Sequence, residues 1–334
     1  VSEDMAIDPE ALAQSLRQHP SIRGKLAIGG ATGALGLAAT SIGRPGDDAA
    51  VLENAAGGYD LLAGEGFIPA FVKDDPWFAG WCGVMVNLSD IAAMGGWAVA
   101  LIDQVWAPSP EAAKPLLDGL KAASEAYGVP IVGGHTNFGA PELGLAVSVL
   151  GRSRALVTSF DAKPGDALMI AVDMRGEYRN YDNFCAALDV PAKQLRGDLA
   201  LVSDLAERRF FRAGKDISQG GIAGTALMLA EASGVGIALD LDRVWMPYPP
   251  GSISLERWMR SFPSFGFLFS IKPDKVQRAA ELFLERSIFA GAIGKVERSS
   301  RVTFHSGQSS AVFWDWRETP YLRPAAPSSE AHHA

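Results

Sequence analysis

Apolar positions recur at helical spacing over residues 9–18, where Ala11, Leu12, Ser15 and Leu16 share a face, and His19-Pro20 breaks that run. A short apolar run at Leu26 to Ile28 leads into Gly29–Gly36, GGATGALG, whose composition predicts a loop able to bring backbone N–H groups close to phosphate. Residues 49–52 and 59–63 read as short strands around the turn Ala56-Gly57-Gly58. The densest apolar stretch, WCGVMVNLSDIAAMGG at 81–96, has helical spacing from Cys82 to Met94 and stops on Gly95-Gly96. Trp97 to Trp106 then predicts a buried strand. A helix follows from near Pro115, with Leu116, Leu117, Leu120 and Ala123 on one face, and ends at Tyr127-Gly128. Strands over 129–134 and 143–150 complete the first half. The turn cluster Asp161 to Asp166 opens a strand over 167–172, followed by a helix over 220–233, strands over 235–241 and 266–271, and a helix over 275–287. Mixed elements of this kind predict an α/β or α+β body, divided near residues 152–165. The stretch after Tyr321 is rich in Pro, Ala and Ser and predicts a mobile tail, with His332-His333 as tail residues.

Composition narrows the functional classes. The chain has 334 residues, 48% of them hydrophobic, and a formal charge of −8, which fits two soluble domains and argues against a general nucleic-acid surface. No apolar stretch approaches the roughly 18 residues needed to span a bilayer. The acidic start, VSEDMAIDPEALAQ, lacks the basic and apolar regions of a signal peptide, so the expected location is the cytoplasm. Cys82 and Cys185 form no disulfide framework or zinc spacing and read as small buried hydrophobes.

The chemistry lies in carboxylates and glycine turns. Asp47 and Asp48, after Pro45-Gly46, form either a solvated turn or a pair of oxygen ligands for a hard cation. Asp90 sits in an otherwise apolar helical run, where an ionised carboxylate needs a partner or a metal, and Asn87 one turn earlier shares its face. Asp216 precedes a helix whose first N–H groups can receive phosphate, or it caps that helix. The turns Gly133-Gly134-His135-Thr136 and Ser218-Gln219-Gly220-Gly221 have the composition of phosphate-approaching backbone, and also of ordinary tight turns.

The order GDDAAVL at 46–52, VNLSDIAAMGG at 86–96, VGGHT at 132–136 and DISQGG at 216–221 resembles the aminoimidazole ribonucleotide synthetase-like superfamily over about residues 20–310. That superfamily includes thiamine-monophosphate kinase, selenophosphate synthetase, formylglycinamidine ribonucleotide amidotransferase and the hydrogenase maturation dehydratase. The resemblance implies an N-terminal α/β domain at 1–155 that binds ATP and metal and forms a homodimer through its sheet. It also implies a C-terminal α+β domain at 156–320, before the tail at 321–334. By the same resemblance Asp47, Asp48, Asp90 and Glu65 hold magnesium, with Glu65 standing where relatives commonly have Asp. Nucleotide falls to Asp48, Asn87, Asp90, Gly133, Gly134, His135, Thr136, Gly220 and Gly221, while Asp216 and Lys25 are the catalytic candidates. Three departures stand out: His135 replaces the Asp of the kinases' GGDT, Gln219 replaces their second Asp, and no Cys precedes Lys25, which argues against selenide chemistry. The aromatic segments at 74–87 and 261–267 line a substrate pocket or form core and dimer contacts. The implied activity is Mg-ATP-dependent phosphoryl transfer to, or phosphate activation of, a small-molecule acceptor. The competing readings are a non-catalytic nucleotide-binding or scaffolding homologue and a nicotinamide oxidoreductase. The last lacks the strand-end acid about 20 residues after its glycines. GGATGALG then becomes an N-terminal flap over ATP phosphates, poorly ordered without ligand.

Overall fold

The structure, a computed structural model, describes residues 7–37, 44–247 and 251–323. In chain order its elements are α1 (Pro9–Gln18), α2 (Pro20–Arg23), α3 (Ile28–Ala34), β1 (Ala50–Glu53), β2 (Tyr59–Gly66), α4 (Pro69–Asp74), α5 (Pro76–Ala93), β3 (Trp97–Ala107), α6 (Pro110–Tyr127), β4 (Ile131–Phe138) and β5 (Gly144–Ser153). There follow β6 (Ala167–Val172), β7 (Glu177–Tyr178), β8 (Asn183–Cys185), α7 (Ala192–Glu207), β9 (Phe211–Asp216), α8 (Gly221–Ser233), β10 (Gly236–Asp240), α9 (Leu255–Met259), β11 (Phe262–Pro263), β12 (Gly266–Ile271), α10 (Pro273–Leu284), β13 (Phe289–Glu297), β14 (Arg301–Ser306) and β15 (Ser309–Asp315).

The first sheet has strand order β1-β2-β5-β3-β4, antiparallel except for the parallel β3–β4 pair. Leu145, Val147 and Val149 alternate along β5 toward α5 and α6, as a half-buried strand requires. Among the described residues nothing covers the opposite face. Leu62 pairs with Leu150, Ile102 with Ser148 and Trp106 with Asn137, and cross-strand partners share a face, so Leu62, Leu150, Ile102 and Trp106 stand together in solvent. The expectation of a buried strand over 97–106 is therefore corrected: β3 is buried on one side only, through Leu101 and Val105.

The second sheet has the order β15-β14-β10-β13-β6-β12-β9; β6 and β12 are buried on both faces, whereas β14 and β15 mix buried and exposed positions. Leu168, Ile170 and Val172 of β6 pack with α8 in one core, while Ala167, Met169 and Ala171 pack with α7 and α10 in another. That is why β6 is an uninterrupted apolar run. A three-stranded patch, β11-β8-β7, flanks it.

Helix α5 joins the two bodies. From Phe78 to Ala93 every residue is buried, as expected of a helix apolar on all sides. It starts at Pro76 behind the N-cap Asp75, whose carboxylate accepts the Phe78 N–H. Its crossing with α6 is so close that a Cβ on Gly119 would lie 1.9 Å from the Trp77 carbonyl oxygen. α6 itself begins at Pro110 behind the N-cap Ser109, so Pro115 lies inside it rather than opening it.

Several expectations need revision. GGATGALG is helix α3 and its end, not a loop: Thr32 Oγ1 donates to the carbonyls of Ile28 and Gly29, closing the turn locally. VGGHT lies in strand β4, extended to Phe138, and Gly134 serves close packing there, since a Cβ would meet the Asp103 carbonyl at 2.4 Å. The first helices do not belong with the first sheet; Leu12, Leu16 and Ile22 pack in the core of α8 and β14. The mobile tail does not start at 321, because Tyr321 is fully buried and the Glu231 carboxylate accepts the N–H groups of Tyr321 and Leu322. The rest of that tail, including His332-His333, lies outside the described residues. No helix among the described residues is long and apolar enough to cross a membrane.

Candidate active site

Asp48, Asp90 and Asp216 meet where α5 lies between the two bodies, and each offers a carboxylate oxygen within 4.8 Å of the other two. Asp48 arrives on the turn after Gly46, whose φ of 105° is a conformation that favours glycine. Asp90 comes from the buried helix α5, and Asp216 ends β9. The backbone N–H of Asp216 donates to Asp48 Oδ2 at 3.2 Å, and the Lys215 ammonium donates to Asp48 Oδ1. Three acids from segments far apart in sequence thus face one another with little solvent between them.

Their electrostatics follow from that crowding. Burial, then the Asp48 charge, pushes the Asp216 carboxyl up to about 8. Burial, then Asp216, Glu65 and Asp48, pushes Asp90 well above the usual carboxylate range. Burial alone would lower Lys215, but Asp48, Asp216 and Asp47 outweigh it and hold its ammonium charged. Lys25, from the turn after α2, reaches Ser218 Oγ at 3.5 Å; burial, then the Lys215 charge, lowers its pKa. Glu65 is solvent-accessible, yet surrounding protein crowds its carboxyl and raises its pKa, with Lys25 opposing. Such mutually perturbed groups are the usual mark of a functional site.

Asn87 sits one turn before Asp90 on α5. Its Nδ2 donates to the Gly83 carbonyl at 2.8 Å, while its buried Oδ1 has no partner among the described residues. An orphaned acceptor beside converging carboxylates, all hard oxygen donors, fits a magnesium ion. Asp47 does not join this set: its Oδ1 accepts the N–H and the hydroxyl of Ser159, each at 2.9 Å, and the N–H of Asp48, tying the turn to the loop before β6. Burial, then Asp48, raises Asp47 to about 6.

A cleft of about 390 Å³ opens from the acids. Lys25, Glu65, Asp90 and Asp216 line its polar side, Phe67, Phe71, Val86 and Phe262 its apolar side, and Gln219 and Gly220 its floor at the start of α8. The aromatic segments divide accordingly. Val86 and Phe262 reach the cleft, whereas Phe78, Trp81, Phe265 and Phe267 are core. Gly221 is needed for packing, since a Cβ would lie 2.3 Å from the Arg260 backbone. Gly133, Gly134, His135 and Thr136 are not brought to the acids. His135 pairs with Gln104 on the uncovered sheet face, while Glu65 pairs with Val147 on the α5 side. Sequence reasoning missed Lys215, although it stands beside Asp216 in GKDISQGG; its partner is 167 positions away. Cys82 and Cys185 are free and buried.

Residues 46–153 match the AIR synthase related protein N-terminal domain, and residues 186–307 match the corresponding C-terminal domain. The chain is 42% identical to an uncharacterized protein of Synechocystis over 83% of this chain and 85% of that protein. It is 32% identical to the selenide, water dikinase of Carboxydothermus hydrogenoformans over 49% of this chain and 45% of that one. With the thiamine-monophosphate kinase of Halobacterium salinarum it shares 27% identity over 74% of this chain and 86% of that one. The fold matches T. maritima PurL complexed with AMPPCP, with a TM-score of 0.72 and 16% identity over 96% of this chain; the chain spans about half, 52%, of that PurL. It also matches AaThiL complexed with AMPPCP and TMP, with a TM-score of 0.63 and 19% identity over 85% of this chain and 94% of that one. A two-domain α/β fold with this order of acid and glycine motifs belongs to the AIR synthase related family.

Proposed function

We propose that the chain is a Mg-ATP-dependent enzyme that transfers a phosphoryl group to, or activates by phosphorylation, a small acceptor held in the cleft. The observation that carries this reading is the convergence of Asp48, Asp90 and Asp216, the last two lining one cleft with Lys25. The kinase names of two relatives, and the AMPPCP bound by PurL and ThiL, support it.

Magnesium, when bound, neutralises phosphate oxygens as a Lewis acid. Asp48, Asp90 and Asp216 would hold it, with Asn87 Oδ1 and Glu65 as further oxygen donors. Lys25 places its ammonium where charge collects on the transferring group, and the backbone at Gly220 starts helix α8 toward the cleft, which favours an anion. An acceptor oxygen bonds to the γ-phosphorus as the bond to the β,γ-bridging oxygen breaks. ADP leaves with the electron pair, and the acceptor proton passes to water. Positioning and charge neutralisation carry most of such a reaction.

The uncovered face of the first sheet completes the picture as the seat of a second copy, which would carry His135 and the β4 glycines into a shared interface. An ATP-dependent reaction of this kind is assigned to the cytoplasm. Calorimetry with Mg-AMPPCP, followed by ATP consumption across a panel of small acceptors, tests the function. Saturable nucleotide binding and acceptor-stimulated turnover, both lost in Asp216→Asn with the fold retained, are expected. Absence of nucleotide binding in the wild type overturns the reading, and binding without turnover on any acceptor favours the non-catalytic homologue.

A further inference from the structure

Lys215 is the feature of the site that the proposed reaction leaves unused. Its side chain is buried, it extends from β9 where Lys215 itself pairs with Leu268 of β12, and it reaches Asp48 Oδ1. The other Asp48 oxygen already accepts the Asp216 N–H. A carboxylate that bridges two divalent ions offers one oxygen to each, but here an ammonium stands on one side. Hard divalent ions the size of magnesium sit about 2.1 Å from each oxygen, so opposite ligands lie about 4.2 Å apart. The oxygens of the three acids lie within 4.8 Å of one another, so a contraction of a few tenths of an ångström brings them into the shell of one ion.

Charge points the same way: Lys215 sets a positive charge against Asp48, Asp216 and Asp47, on the flank where a second divalent ion would otherwise supply it. An unpaired charge buried here would be costly, and an ammonium fixed by the fold stays in place whether or not nucleotide is bound.

We propose that Lys215 is a resident cation of the site, occupying the flank of Asp48 where a second divalent ion would otherwise sit. The inference rests on the three acids being a metal site. It makes ion stoichiometry a property of residue 215: lysine or arginine there leaves the chain one divalent ion fewer than a neutral residue of similar length.

The test counts Mn2+ bound per chain, by electron paramagnetic resonance of the free ion, on metal-stripped full-length protein with and without AMPPCP. Lys215→Met is expected to bind one more Mn2+ per chain than the wild type in at least one of the two conditions, and Lys215→Arg the same number as the wild type. A Lys215→Met chain that folds only with Mn2+ present also supports the proposal. Equal stoichiometry in wild type and Lys215→Met overturns it while leaving the acids a metal site, and so does a wild type that already holds two ions against the three acids if Lys215→Met cannot be folded. A wild type that binds no Mn2+ in either condition overturns the metal reading and this inference together.

Discussion

The two sheets solve the same problem differently. In the second sheet β6 and β12 are buried on both faces and present core residues to either side. The first is buried on one face and leaves Leu62, Ile102, Trp106 and Leu150 in water on the other. The middle of the second sheet is enclosed within one chain; the first sheet has a side packed on α5 and α6 and a bare side whose apolar residues ask for a cover. Contiguous exposed apolar surface is the usual mark of such an interface.

The sharpest way to break this contrast is to truncate matched aromatic residues. Phe267→Ala, on the doubly buried strand β12, should cost about 3–5 kcal/mol in urea unfolding. Trp106→Ala on the bare face should cost less than about 1 kcal/mol when measured on the dissociated chain; comparable losses would mean that both faces are core. Next in size is the α5–α6 crossing that supports the packed side. Gly119→Ala forces a methyl group against the Trp77 carbonyl and should lower stability by about 1–3 kcal/mol, whereas Gly133→Ala on β4, where a Cβ meets nothing within 4 Å, should lower it by much less.

A third prediction concerns the acids between the bodies. Below about pH 4 the unfolded Asp216 is protonated, as it is in the fold. As the pH rises toward about 8 the unfolded chain ionises while the folded site resists, so this group's stabilisation is present at low pH and lost through that window. In EDTA the melting temperature should therefore fall by several degrees between pH 5 and 8 through this site, and Asp216→Asn should flatten that slope; an unchanged slope in the variant would remove the repulsion argument. The smallest effect on the fold, yet decisive for the comparison, is expected from Trp106→Asp. Dissociated-chain stability should stay within about 0.5 kcal/mol while self-association in light scattering is abolished. A wild type that is monomeric at high concentration would show that the bare face takes no second copy.

How much of this was legible in sequence depended on where each signal lies. β6 was readable to the residue because burial on both faces writes an unbroken apolar run between turn residues. α5 was readable from Cys82 onward, but its first turn hides in Pro76-Trp77-Phe78 behind a capping Asp75 that looks like one of many surface acids. GGATGALG misled because glycine composition resembles a loop, whereas local carbonyl and hydroxyl hydrogen bonding closes it into a helix. Asp48, Asp90 and Asp216 were found through motif order, each being ambiguous alone. Asp47 looked like the twin of Asp48, and only the long-range contact with Ser159 separates them. Lys215 was invisible for the same reason, since an ion pair between residues 167 positions apart has no local pattern.

Tyr321 has a consequence for synthesis. Its hydroxyl donates to the Ile22 carbonyl 299 positions earlier, and its N–H is held by Glu231 on α8. The helices that carry Lys25 toward the acids thus rest partly on a residue translated long after them. While the ribosome is still making the second sheet, the segment that carries Lys25 lacks this clasp. A chain that stops short of Tyr321 therefore lacks the contact that ties the N-terminal helices to α8, even where Asp48, Asp90 and Asp216 have already come together.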